Sequence, residues 1–103
     1  MTVVVSFVTP KGVGSINAPG IGAVRVREDI ALDGTTTATV QDGEVVLIGN
    51  AESDMVAVAF GTTPDPDATA ATAATSAGVP VGAGQIGLLC PKPADKIAAK
   101  ALA

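Results

Sequence analysis

Two apolar runs between Glu44 and Gly61, EVVLIGNAESDMVAVAFG, stand out in the hydrophobic pattern, separated by the polar connection Asn50-Ala51-Glu52-Ser53. Apolar runs on either side of a short polar connection predict a β-hairpin, here with a four-residue turn. In the second run Val56, Val58 and Phe60 fall on one face of the strand and Met55, Ala57 and Ala59 on the other. The branched face suits a core, and the small face suits a closely approaching surface. Val45 to Ile48 is apolar at every position. A strand without a polar face is covered on both sides, and 103 residues hold little other material to cover it. The hairpin therefore predicts a sandwich that needs a partner, with Val46, Ile48, Met55, Ala57 and Ala59 as candidate contacts between subunits.

In chain order, Thr2 to Thr9 is a β-branched run closed by Pro10 and predicts a first strand. Two placements are open to it. It pairs within its own sheet, or it is an arm that adds to a neighbouring molecule through Val3, Val5 and Phe7. Lys11 to Gly22 holds four glycines and a proline and predicts a loop, a hinge behind such an arm. Ala23 to Arg27 alternates, with Val24 and Val26 inward and Arg25 and Arg27 outward. Asp33-Gly34 and Asp42-Gly43 are turn signals, and Thr35 to Gln41 between them reads as a strand with Thr36, Ala38 and Val40 on one face.

The second half changes texture. Thr62 to Asp67, with two prolines, excludes regular structure. Ala68 to Ala77, ATAATAATSA, fits a short helix or a loop equally. Val79 to Gly84 predicts a turn leading into a strand, Gln85 to Cys90, with Ile86, Leu88 and Cys90 aligned, and Pro91-Lys92-Pro93 makes a corner. Asp95 to Ala103 has helix-forming composition, but so short a helix is marginal alone, and a last strand with Ile97, Ala99 and Ala101 inward is expected. Together the segments predict an all-β fold, a small antiparallel β-sandwich, jelly-roll-like, of about seven or eight short strands. Residues 1–103 read as a single domain, with residues 1–22 as N-terminal arm and Gly-rich loop.

Composition narrows the function classes. The apolar content is Ala and Val, with Phe7 and Phe60 the sole aromatic residues, so the core gains less per residue than one of Leu and Phe. The net charge of −4 argues against nucleic acid, which calls for a basic stripe. No apolar run approaches the roughly 18 residues of a membrane span, and Thr2 to Val8 is too short for a signal sequence. A soluble protein made in the cytoplasm, with no membrane partner, is expected.

The sequence contains no histidine, which removes Ser-His and Cys-His nucleophile pairs and His-ligated metals. Gly12-Val-Gly14-Ser-Ile-Asn17 lacks the third glycine of a dinucleotide fingerprint. Asp65 and Asp67, or Glu28 and Asp29, fall short of a calcium loop. Lys92, Lys96 and Lys100 read as a solvated edge or a contact to an acidic partner surface. Neither enzyme activity nor a cofactor is expected. Cys90, the single cysteine, fits a buried small hydrophobe or, beside Pro91, an exposed thiol open to an intermolecular disulfide.

The order GNAESDMVAVAFGTTP, a Thr/Ala stretch, VPVGAGQIGLL and PADKIAAKALA resembles a pattern of small bacteriophage virion proteins. Its pieces correspond here to Asn50, Val56 to Gly61, Pro80 to Gly84 and Ile97 to Ala99. Such proteins are similar to head decoration (cement) proteins, small β-sandwiches that often sit as trimers on a capsid lattice. The resemblance covers residues 44–103. It implies a structural virion protein on the capsid surface, with the major capsid protein as partner and a homo-oligomer, a trimer, as assembly. The residues singled out above as subunit contacts are then capsid contacts as well. A tail, neck or fibre module that binds a receptor or carbohydrate is the alternative, although sugar recognition usually uses Trp or Tyr platforms, which the chain lacks.

Overall fold

The computed structural model describes residues 2–13 and 16–102, with residues 10–13 and 16–22 described by backbone alone, and among the described residues alternating branched side chains build seven strands and no helix. The strands are β1 (Val3–Val13), β2 (Ile16–Ile30), β3 (Val45–Asn50), β4 (Val56–Gly61), β5 (Val79–Val81), β6 (Ile86–Leu89) and β7 (Lys96–Ala101). They form two antiparallel sheets, β2-β1-β3-β6 and β5-β4-β7. The fold is the expected all-β sandwich. Its core joins Val3, Val5 and Phe7 of β1 and Val46 and Ile48 of β3 to Val56 and Val58 of β4 and Ile97 and Ala99 of β7.

The strongest pattern in the sequence has a different outcome. β3 and β4 are not a hairpin: they belong to different sheets, and residues 51–55 arch from one layer to the other. Asn50, 2% exposed, holds the arch. Its Nδ2 donates to the carbonyls of Asp54 (2.9 Å) and Val81 (3.0 Å), and its Oδ1 accepts from the Glu52 amide (2.9 Å). A polar connection between apolar runs is equally what a crossing between layers requires.

β4 is covered on both faces, as its pattern demands, but by its own chain. Residues 62–78, without helix or strand, form a strap. Ser76 N–H donates to the Phe60 carbonyl (2.7 Å), Phe60 N–H to Ser76 Oγ (3.0 Å), and Thr63 N–H to the Ala74 carbonyl (3.0 Å). The small side chains of Ala57 and Ala59 make room for it. At Gly61 a Cβ would fall 2.1 Å from the Ala74 carbonyl oxygen, and at Gly78 2.2 Å from that of Pro66. At Gly61 the strap and β4 therefore approach backbone to backbone, and at Gly78 the strap closes on itself in the same way, packings that only glycine permits there.

The segment between β2 and β3 closes one side of the sandwich. The two Asp-Gly turns form, with Gly34 N–H bonded to the Ala31 carbonyl and Glu44 N–H to that of Gln41. Thr35 to Gln41 is not a strand, apart from one isolated bridge to Ala98. It lies along the edge of β7 through Asp33 N–H to Ala99 O, Thr36 N–H to Ile97 O and Val40 N–H to Asp95 O. Thr36 and Val40 are buried and Ala38 half-buried, as their shared face predicts. The C-terminal segment is strand β7, because pairing with the full length of β4 outweighs the helical preference of its alanines. Ile97 and Ala99 face inward, whereas Ala101, at the frayed end, is exposed.

Candidate docking surface

The residues that sequence pattern singles out as contacts are mostly inside. Val3, Val5, Phe7, Val46 and Ile48 are fully buried in the core, and Ala57 and Ala59 lie in β4, whose outer face the strap covers. An apolar alternation reports burial without saying against what, and here the second sheet and the strap supply it. These seven residues are unavailable to a partner in the folded chain. Met55 is exposed at the end of the arch, and Cys90 is exposed beside β6. The first strand is likewise no free arm: β1 is an inner strand, paired to β2 on one side and β3 on the other.

What projects instead is the segment expected to be a loop. β1 runs on through Pro10 to Val13, and β2 begins at Ile16, with Pro10 opposite Ile21, Lys11 opposite Gly20 and Gly12 opposite Pro19. Gly14 and Ser15, part of the glycine motif weighed for nucleotide binding, lie outside the described residues. β3 pairs with β1 only as far as Val8. Beyond that point β1 and β2 are a two-stranded extension, on a molecule whose extents are 42 × 30 × 22 Å. Strand pairing overrides glycine's preference here, with register shifts between Phe7 and Val8, Val8 and Pro10, and Gly12 and Val13.

The root of the extension is fixed by a charged clamp. The shift at Phe7/Val8 leaves Val24 more than half exposed rather than inward, while Val26 stays packed on the core. Arg25, next to the shift, forks onto Glu44 (Nε to Oε2 2.7 Å, Nη2 to Oε1 2.9 Å), donates to the Thr39 carbonyl and lies 5.6 Å above the Phe7 ring. The Arg25 bonds hold the Glu44 carboxyl below its ordinary value against the opposing effect of burial, and the Gln41 amide assists. Burial pushes the Glu28 carboxyl up, but the Thr37 and Ala38 amides and the Thr37 hydroxyl outweigh it and hold it low. A charge next to an uninterrupted apolar run was the one sequence sign that Glu44 has a fixed partner.

The linkage has a definite sign. A carboxyl whose folded pKa is depressed stabilises the fold fully above its unfolded value, about 4.3, and that contribution is lost as pH falls through the lower folded value. Stability will therefore drop below about pH 4. In Glu44→Gln it will start lower at neutral pH and fall less steeply, which denaturation midpoints across pH will register.

Other polar groups pair among themselves. Lys100 meets Asp67 (2.6 Å), whose bond raises the lysine pKa, and Asp33 and Asp65 stand nearby. Among the described residues no three metal-ligating side chains come together.

The remaining exposed feature is apolar. Ile86 and Leu88 of β6 are 71% and 53% exposed, in line with Cys90 as their spacing predicts. Their exposure escaped sequence reasoning because an apolar alternation does not say which face of a strand turns outward, and here Leu89 packs on the core while Ile86 and Leu88 face away from it. The chain matches no protein-family model, no curated protein and no solved structure.

Proposed function

We propose that this protein is a structural virion component, a decoration protein that docks on a phage capsid and ties neighbouring capsid subunits together. The observation that carries the reading is the β1–β2 extension. A two-stranded hairpin is marginal in water by itself, and one kept clear of its own sandwich has its use in contact with another chain. The Arg25–Glu44 pair anchors its root to the sandwich, which lowers the ordering cost of docking. The virion-protein resemblance of residues 44–103 supports the same reading and names the major capsid protein as the partner. Cement action is then additive: each copy contributes a modest contact, and many copies on one shell hold it against internal pressure.

The test shortens the extension without touching the core. Replacing residues 10–21 by an Asn-Gly turn leaves the β1–β3 pairing of Val3 to Val8 intact. The shortened protein will keep the circular dichroism and denaturation midpoint of the parent but will be missing from purified phage particles that contain the parent. Incorporation at the parental level would overturn the extension's role.

A further inference from the structure

We propose that two copies of this chain join edge to edge through β6, antiparallel across a two-fold axis, so that their first sheets become one continuous sheet. This contact is separate from the hairpin extension and does not depend on the virion reading.

Each sheet ends in strands, and an open strand edge is a template for another chain unless it is blocked. Three of the four edges are blocked. β2 has Pro19 in its outer half and Arg25, Arg27, Glu28 and Asp29 toward its end. β5 is three residues long with a central proline, Pro80. β7 is covered by residues 33–40 through the amides of Asp33 and Thr36 and the Gly34 carbonyl. β6 has none of these devices. It pairs with β3 on one side, and among the described residues no backbone bond reaches Ile86 to Leu89 from the other. From Gln85 to Pro91 the chain has no charged side chain and no proline before Pro91.

The pattern along β6 fits its own reverse. With Leu88 on the axis, Leu88 faces Leu88 of the second copy, and Ile86 faces Cys90 on the same outer surface, because opposite residues of an antiparallel pair share a face. This register sets the exposed apolar side chains of the strand against one another across the seam. Charge selects the same partner. At the Gln85 end of β6 stands the arch, with Glu52 and Asp54, since Asn50 N–H bonds the Gln85 carbonyl and its own carbonyl accepts from Gly84. At the Cys90 end stands exposed Lys92. An antiparallel pair brings Lys92 of each copy toward Glu52 and Asp54 of the other, so two chains of net charge −4 meet along a neutral strand with opposite charges at its ends. Among the described residues β6 is the one edge with neither charge nor proline, since β1 beyond Val8 carries Pro10 and Lys11, so the contact closes at two copies, not at the three that the virion resemblance implies.

Sedimentation and light scattering of the purified chain will give a dimer that dissociates on dilution. Leu88→Lys, which puts a charge on the axis, will be monomeric at concentrations where the parent is dimeric, with an unchanged circular dichroism spectrum. In a Cys90→Ser background, Leu88→Cys will cross-link two chains on mild oxidation and Ile86→Cys will not, whereas Ile86→Cys with Cys90 retained will. A parent that stays monomeric, a trimer, a Leu88→Lys dimer, or cross-linking that is equal at both positions in the Cys90→Ser background would overturn the proposal.

Discussion

Phe7→Ala will destabilise the protein by about 3–5 kcal/mol, the cost of emptying a large aromatic site in a packed core. Phe7 is fully buried, whereas Phe60, the other aromatic residue, is only half-buried. The neighbours that would have to collapse into the space are valines, isoleucines and alanines on strands fixed by two-sided pairing, so relaxation is limited. The substitution also removes the ring beneath Arg25, loosening the clamp at the root of the extension. Domains of this size are stable by about 5–15 kcal/mol, and a core of small side chains belongs near the lower end. Phe7→Ala therefore removes a large share of the total, and a urea titration will show the midpoint collapse. Phe7→Leu, which keeps most of the volume, will lose much less.

Asn50→Leu will cost about 2–4 kcal/mol, because burying unpaired polar groups is expensive. The change is close to isosteric, so packing contributes little. It leaves the Val81 and Asp54 carbonyls and the Glu52 amide without their side-chain partner. Asn50→Asp sharpens the test. A carboxylate oxygen then faces the two carbonyls where Nδ2 donated, and the penalty relative to the parent will be large at neutral pH. Protonation restores a donor, so that penalty will shrink as pH falls, opposite in sign to the acid loss expected from Glu28 and Glu44. A penalty independent of pH would show that Asn50 acts by volume rather than by its amide.

Faces were legible in the sequence wherever side chains alternate with a period of two, although at Thr36, Ala38 and Val40 the same period marks a segment laid along β7 rather than a strand. Val56 to Phe60, Ile86 to Cys90 and Ile97 to Ala99 lie on the faces their alternation indicates. The layer a strand joins was not legible. Asn50 to Ser53 reads as a turn because hairpins and arches share polar connections, and only the long-range bond from Asn50 to Val81 separates them. Lys11 to Gly22 reads as a loop because glycine and proline disfavour strands when neighbours are ignored, and cross-strand pairing lies far from such local preference. The cover over Ala57 and Ala59 was legible as a need but not as a source. A strap rich in Thr and Ala has no periodicity, and its fit rests on Gly61 and Gly78. The docking surface was least legible of all, since apolar residues meant for a core and for a partner look alike in sequence. Val46 and Leu88 differ in fate because Val46 faces the second sheet and Leu88 the outer surface, and both positions read as apolar.

The central claim, that this small sandwich is a component of a particle's shell, is tested most directly by its stoichiometry in purified virions. On this reading, quantitative mass spectrometry of purified particles will find copies in fixed proportion to the shell's major subunit, on the scale of the shell itself. The few copies of a single ring or fibre would contradict the decoration role in favour of a tail or neck module, and absence from the particle would contradict the virion assignment altogether.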